Sequence, residues 1–197
     1  MVITAIKQQV KRAGRYSVYV DGKFAFGISE GALLDLGLAS GQHIDDTQFA
    51  KLKKDAGLDK AYGNALRYVA MRPRSHGELH DYFRRKGIDE AASEHIVKRL
   101  TDLNLLNDEA FARSWVASRR LLKTTSKRRL ILELKQKRVS EEVIDKVLQE
   151  DITDERESIK KLIEKKRSRY PDNQKLISYL ARQGFSYSDI KSALNES

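Results

Sequence analysis

A chain of 197 residues with 40% apolar content is long enough for one to three compact units with real cores, and this composition belongs to a folded protein. Without cysteine it can form no disulfide framework, thiolate metal cluster or cysteine nucleophile, so any metal would need His, Asp or Glu. The net charge of +10, from 38 Lys and Arg against 28 Asp and Glu, attracts polyanions, meaning nucleic acid or an acidic protein surface. No run approaches the roughly 18 apolar residues of a membrane span, and the start MVITAIKQQVKR lacks the apolar core of a secretory signal. The expected setting is cytoplasmic, with no membrane partner.

The chain opens as strand. Residues 2–10, 16–20 and 23–28 are rich in β-branched and aromatic side chains, and Asp21-Gly22 is a hairpin-turn signal. Ser29 and Glu30 then open a short helix through Leu33, Leu34 and Leu36 that ends at Gly37. Asp45 or Asp46 can cap another through Phe49 and Leu52. Three short strands bury too little alone, so these helices are expected to pack on the sheet.

Beyond about residue 58 the apolar residues recur at helical spacing. Three segments align without a gap: 75–89, 126–140 and 172–186. In each, an N-cap residue (Ser75, Ser126, Asp172) stands four positions before a leucine (Leu79, Leu130, Leu176) and a turn position follows eight later (Gly87, Arg138, Gly184). The helices that follow carry Ile144 and Leu148 against Ile190 and Leu194, and a three-residue insertion moves the first copy's equivalents to Ile96 and Leu100. Upstream lie amphipathic helices with Leu66 and Val69, then Phe111, Trp115 and Val116, then Ile159, Leu162 and Ile163. Pro73 and Pro171 sit in nearly the same place before a helix start in the first and third copies. The predicted fold is mainly α. Three tandem three-helix repeats (59–106, 107–152, 153–197) form an elongated curved array behind a β-rich module with short helices (1–58).

His76 and His80 share a helix face and could in principle hold zinc. The zinc-protease pattern, however, needs Glu directly after the first His, and here Gly77 intervenes. Ser75 and Glu78 instead fit a capping box, with the Glu78 carboxylate reaching back to the Ser75 amide. The other two copies lack histidine there, so the histidines read as surface or boundary residues. Neither a P-loop nor a dinucleotide-binding glycine loop is present. The reading is of a protein without metal, cofactor or catalysis.

The charge is concentrated. From Ala112 to Arg138 ten basic residues face one acid, Glu133: Arg113, Arg119, Arg120, Lys123, Lys127, Arg128, Arg129, Lys135, Lys137 and Arg138. A second cluster, from Arg156 to Arg169, holds seven basic residues against Glu157 and Glu164 and includes Lys165 and Lys166. Such runs are as often a solvated helix face as a binding surface. With Leu130, Ile131 and Leu134 inward, Lys127, Arg128, Lys135 and Arg138 would form a positive outer stripe. Arg113, Arg119, Arg120 and Lys123 would widen it. Arg129, Lys165 and Lys166 complete the candidate contact set. Tyr82, Phe83 and Trp115 could stack on bases, but their spacing beside Leu and Val favours the core.

The run from Ala65 to Ile88, the run from Asn107 to Arg120 and the hairpin from Arg15 to Ile28 together resemble the RecX family of bacterial recombinase regulators. In the middle repeat Asp108, Phe111, Ala112, Trp115, Val116 and Arg119 match at linked positions. The resemblance implies a non-enzymatic, monomeric regulator that binds RecA and its filament on single-stranded DNA, restraining recombinase, ATPase and coprotease activity. A basic scaffold that binds nucleic acid directly is the alternative. Two positions depart from the family pattern. Arg138 stands where glycine is expected and Lys123-Thr124-Thr125 where many relatives have a Gly-Pro turn. A left-handed non-glycine residue costs on the order of 1 kcal/mol, so a middle turn of different shape is expected.

Overall fold

The computed structural model describes residues 1–196. The chain forms three strands, β1 (Ile3–Gln8), β2 (Arg15–Val20) and β3 (Lys23–Ser29), and then ten helices among the described residues. These are α1 (Glu30–Asp35), α2 (Asp46–Ala70), α3 (His76–Lys86), α4 (Glu90–Asp102), α5 (Asp108–Leu122), α6 (Lys127–Gln136), α7 (Glu141–Gln149), α8 (Glu155–Lys166), α9 (Asn173–Arg182) and α10 (Tyr187–Asn195). None of the described helices is long and apolar enough to cross a membrane. Two compact units result: Met1–Met71 with Lys86–Leu100, and Arg72–Arg85 with Thr101–Ser197.

In the first unit the sheet is antiparallel in the order β1-β2-β3. Asp21 (φ 48) and Gly22 (φ 78) are both left-handed, the geometry that a tight hairpin requires, and Asp-Gly supplies it cheaply. Ile3, Val18, Val20, Phe26 and Ile28 face a buried core completed by Ile44, Leu52 and Ala56. The two helices expected on either side of residue 58 are one 25-residue helix, α2, opened by a complete capping box between Asp45 and Gln48. Its Asp59 pairs with Arg15 at 3.1 Å and accepts a hydrogen bond from the Ser29 amide at 3.0 Å, which ties α2 to the sheet.

The second unit holds two of the three-helix sets whole. Phe111, Val116, Leu130, Leu134, Ile144, Val147 and Leu148 form the core of α5, α6 and α7. Ile159, Leu162, Ile163, Leu176, Leu180, Phe185 and Ile190 do the same for α8, α9 and α10. Trp115 packs against the first of these cores and Phe83 is buried, as their helical spacing implied.

Helices α6 and α9 end alike, contrary to the expectation of a different middle turn. Arg138 adopts φ 57 where Gly184 has φ 93 and Gly87 φ 65. Behind α6, the Arg138 amide donates to the Lys135 carbonyl and the Val139 amide to that of Leu134. Behind α9, Gly184 donates to Ala181 and Phe185 to Leu180 in the same pattern. The backbone therefore accepts the cost of an arginine rather than changing the motif, and the buried pair Leu134 and Val139 clamps it.

Candidate interaction surface on the helical units

The start of one middle helix meets the end of the next. Ser75 Oγ accepts from the Glu78 amide at 3.1 Å, capping α3, and donates to the Lys137 carbonyl behind α6 at 2.7 Å. Ser126 Oγ repeats this, accepting from the Arg129 amide at 3.1 Å and donating to the Gln183 carbonyl behind α9 at 2.9 Å. Both serines are fully buried, so each hydroxyl satisfies an orphan donor of its own helix and an orphan acceptor of its neighbour. Gly77 has its reason here. A Cβ on it would lie 2.5 Å from Arg138 Cβ and 2.6 Å from the Lys137 carbonyl oxygen. The glycine that breaks the zinc pattern is the one that lets the two helix ends touch.

Glu78 does not close the expected capping box with its carboxylate. It takes Arg72 Nη1 and Nη2 at 2.8 and 2.9 Å and Lys137 Nζ at 2.6 Å. Burial pushes its pKa up, but hydrogen bonds and charge from Arg72 and Lys137 outweigh that and hold it at about 2. His76 is more than a boundary residue. Asp108 accepts its backbone amide at 2.8 Å and lies 3.1 Å from Nδ1, while Nε2 is 3.0 Å from Thr101 Oγ1. The ring thus pins the start of α5 to the start of α3.

Charges continue along the same line. Lys137 Nζ lies 5.2 Å from the Trp115 ring centroid and the Arg119 guanidinium 4.5 Å from it. Trp115 Nε1 donates to Glu133 at 2.9 Å, Arg119 Nε does so at 2.6 Å, and Arg129 Nε approaches its other oxygen at 3.5 Å. Burial raises the Glu133 pKa, but Arg119, Trp115 and Arg129 bring it below the usual carboxylate range. Arg129 then donates to the Arg182 carbonyl at 3.0 Å, crossing to the next set.

The candidate cations divide accordingly. Arg120 is turned inward: with its side chain 13% exposed it pairs with Asp151 and donates to the Thr125 carbonyl. Arg119 and Arg129 belong to the Glu133 network, and Arg113 is held by Glu109 and Glu150. The positive stripe on α6 is reduced, because Lys135 meets Glu141 at 2.5 Å and Arg138 leaves the helix to meet Asp81 at 2.8 Å. Lys123, Lys127, Arg128 and Lys165 are exposed and form no ion pair among the described residues, and Lys166 lies 6.0 Å from the Tyr179 ring centroid. Arg128 and Arg129 line a groove of about 510 Å³ with Leu132, Gln136, Ala181 and Arg182. Arg182 and Leu132 escaped the sequence reading. Arg182 is the third copy's equivalent of Gln136, and only the end-to-end contact of α6 with α9 brings it beside Arg129.

Along its length the chain matches four family profiles: the "Regulatory protein RecX N-terminal domain" over residues 1–45, and the first, second and third three-helix domains of RecX over 61–100, 107–148 and 154–194. It is 33% identical to the regulatory protein RecX of Leuconostoc citreum over 94% of this chain and 72% of that one. The chain belongs to the RecX family. A RecX of Caldanaerobacter subterraneus subsp. tengcongensis is 30% identical over 99% of both chains. A crystal structure of regulatory protein RecX superposes with a TM-score of 0.75 at 31% identity, covering 97% of this chain and 98% of that one. RecX from Lactobacillus salivarius gives 0.62 at 28% identity over 71% and 95%. The three tandem three-helix units and the small sheet before them are therefore the RecX architecture.

Proposed function

We propose that this RecX-family chain acts by binding RecA and its filament on single-stranded DNA, restraining recombinase, ATPase and coprotease activity without chemistry of its own. Family membership carries the reading, and the division of the cations gives it a surface. Arg119 and Arg120 serve to hold the helical sets in shape. Lys123, Lys127, Arg128 and Lys165 are left for an acidic partner surface or for phosphate, with Lys166 and the more loosely held Arg113, Arg129, Lys135 and Arg138 at the margin. Exposed ion pairs such as Lys135 with Glu141 contribute little and exchange readily with a partner's carboxylate or phosphate.

The test is RecA's DNA-dependent ATPase with preformed filaments. Substoichiometric amounts of the chain should suppress it, and Lys127→Glu with Arg128→Glu should weaken that suppression several-fold in a protein that still melts cooperatively. Absence of any effect at saturating wild-type chain would overturn the reading. A chain that binds DNA equally well without RecA and leaves the filament ATPase intact would instead be a generic basic scaffold.

A further inference from the structure

The small sheet has an outer face for which the regulatory reading supplies no role. In β3, Phe26 and Ile28 point into the core, and strict alternation would send Phe24 the same way. It does not go there. The pairing steps from Val18 with Phe26 to Tyr19 with Phe24, so Ala25 is an extra residue, and Phe24 is turned outward and 61% exposed. On the other side of β2 the pairing steps from Ile3 with Val20 to Ala5 with Tyr19, with Thr4 as the extra residue. Two bulges flank the central strand at the same height. A bulge interrupts a ladder and re-aims a side chain, and here the result is a large aromatic ring placed in water, which burial alone would oppose.

The surroundings of that ring have a definite chemistry. Tyr19 lies edge-on to Phe24, with centroids 6.0 Å apart, and Ala5 and Ser17 keep the floor of this face low. Beside Phe24 opens a cleft of about 310 Å³ that Phe49, Lys23 and Lys53 also line. Lys7 Nζ stands 5.6 Å from the Tyr19 centroid and Lys53 Nζ 5.1 Å from that of Phe49. The one acid in the cleft, Asp21, is engaged by the Val2 amide at 2.7 Å. Tyr19, Phe24 and Lys7 thus stand on the outer face, while Lys23, the partner of inward-facing Val20, lies with Phe49 and Lys53 in the cleft round the β3 edge, and Phe24 borders both groups. Rings that stack on bases and cations that follow the phosphates are what an unpaired strand needs, whereas an apolar protein surface gains nothing from the lysines.

We propose that this face and the cleft round the β3 edge form a binding site for single-stranded nucleic acid, in which a base stacks on Phe24 against Tyr19 while Lys7 on the face and Lys23 and Lys53 in the cleft meet the phosphodiester chain on either side of it. It is separate from the helical surface and does not depend on RecA being the partner. The test uses the full chain with a labelled oligothymidylate, read by anisotropy, beside a duplex, an oligouridylate and an abasic oligomer of equal length. Phe24→Ala should weaken oligothymidylate binding about tenfold without changing its salt dependence, and Phe24→Tyr should restore it. Lys23→Ala with Lys53→Ala should flatten the salt dependence. An oligothymidylate carrying 5-iodouracil should cross-link to the peptides holding Tyr19, Phe24 or Phe49. Equal affinity for the abasic oligomer, or full binding by Phe24→Leu, which keeps apolar bulk without a π face, would overturn the proposal. Preference for the oligouridylate would assign the site to RNA. Loss in Arg128→Glu alone, with Phe24→Ala unchanged, would also overturn it by moving nucleic-acid binding to the helical units.

Discussion

Glu78 shows how one side chain can be legible in kind and not in role. Four residues of sequence identify a helix start, and a carboxylate three positions after a serine fits a box closed on its own backbone. What the carboxylate does was decided by Arg72, six residues back, and by Lys137, 59 residues on. Its pKa, brought down from 4.5 to about 2, makes its contribution to stability full above the ordinary carboxylate range and lost as pH falls from about 4.5 toward 2. Glu78→Gln should therefore cost on the order of 1–3 kcal/mol near neutrality, held below the full linkage value because water reaches Arg72. Urea unfolding at neutral pH and again near pH 3 checks this, since the gap between the two proteins must shrink on acidification. A constant gap would mean that the side chain acts by packing. Arg138 is the complementary case, a left-handed position recognised by alignment whose turn keeps the shape of its glycine counterpart.

At the scale of elements, amphipathic spacing and caps announced the helices beyond residue 58, while the ends of α2 and the contacts between helices were not announced. Between Asp46 and Ala70 the only helix-weakening residues of the glycine or proline kind are Gly57 and Gly63, and a glycine inside a helix costs only about 1 kcal/mol, too little to stop it. The helix therefore runs through. The serine junctions carry the testable energy. Ser126→Ala removes an N-cap and also strands the Gln183 carbonyl, and should cost about 2–3 kcal/mol, whereas Ser140→Ala removes only the cap of α7 and should cost about 1 kcal/mol. Chemical denaturation of the two variants measures the difference, which is the worth of the junction. Gly77→Ala has no comparable escape, because the backbone oxygen of Lys137 stands 2.6 Å from the new carbon. It should destabilise by about 1–3 kcal/mol or more, with a lower thermal midpoint as the readout. An unshifted midpoint would show that the two helix ends part at little cost.

For the whole molecule, the charge of +10 predicts attraction to a polyanion but does not say which cations are available. Binding to a RecA filament should weaken about tenfold or more between 50 and 200 mM salt if the exposed lysines and Arg128 carry it, and co-sedimentation would measure this. Salt-insensitive binding would shift the contact to apolar residues such as Leu132. What the sequence by itself determined is the part written in local physics: strand and helix periods, caps, left-handed turn positions, the threefold internal repeat, and a family pattern spread over most of the chain. What only the tertiary structure decided is which charges are spent internally, why Gly77 is a glycine, and that bulges turn Phe24 outward. These depend on groups tens of residues apart, or on a one-residue slip in strand pairing, and neither leaves a periodic trace in the chain.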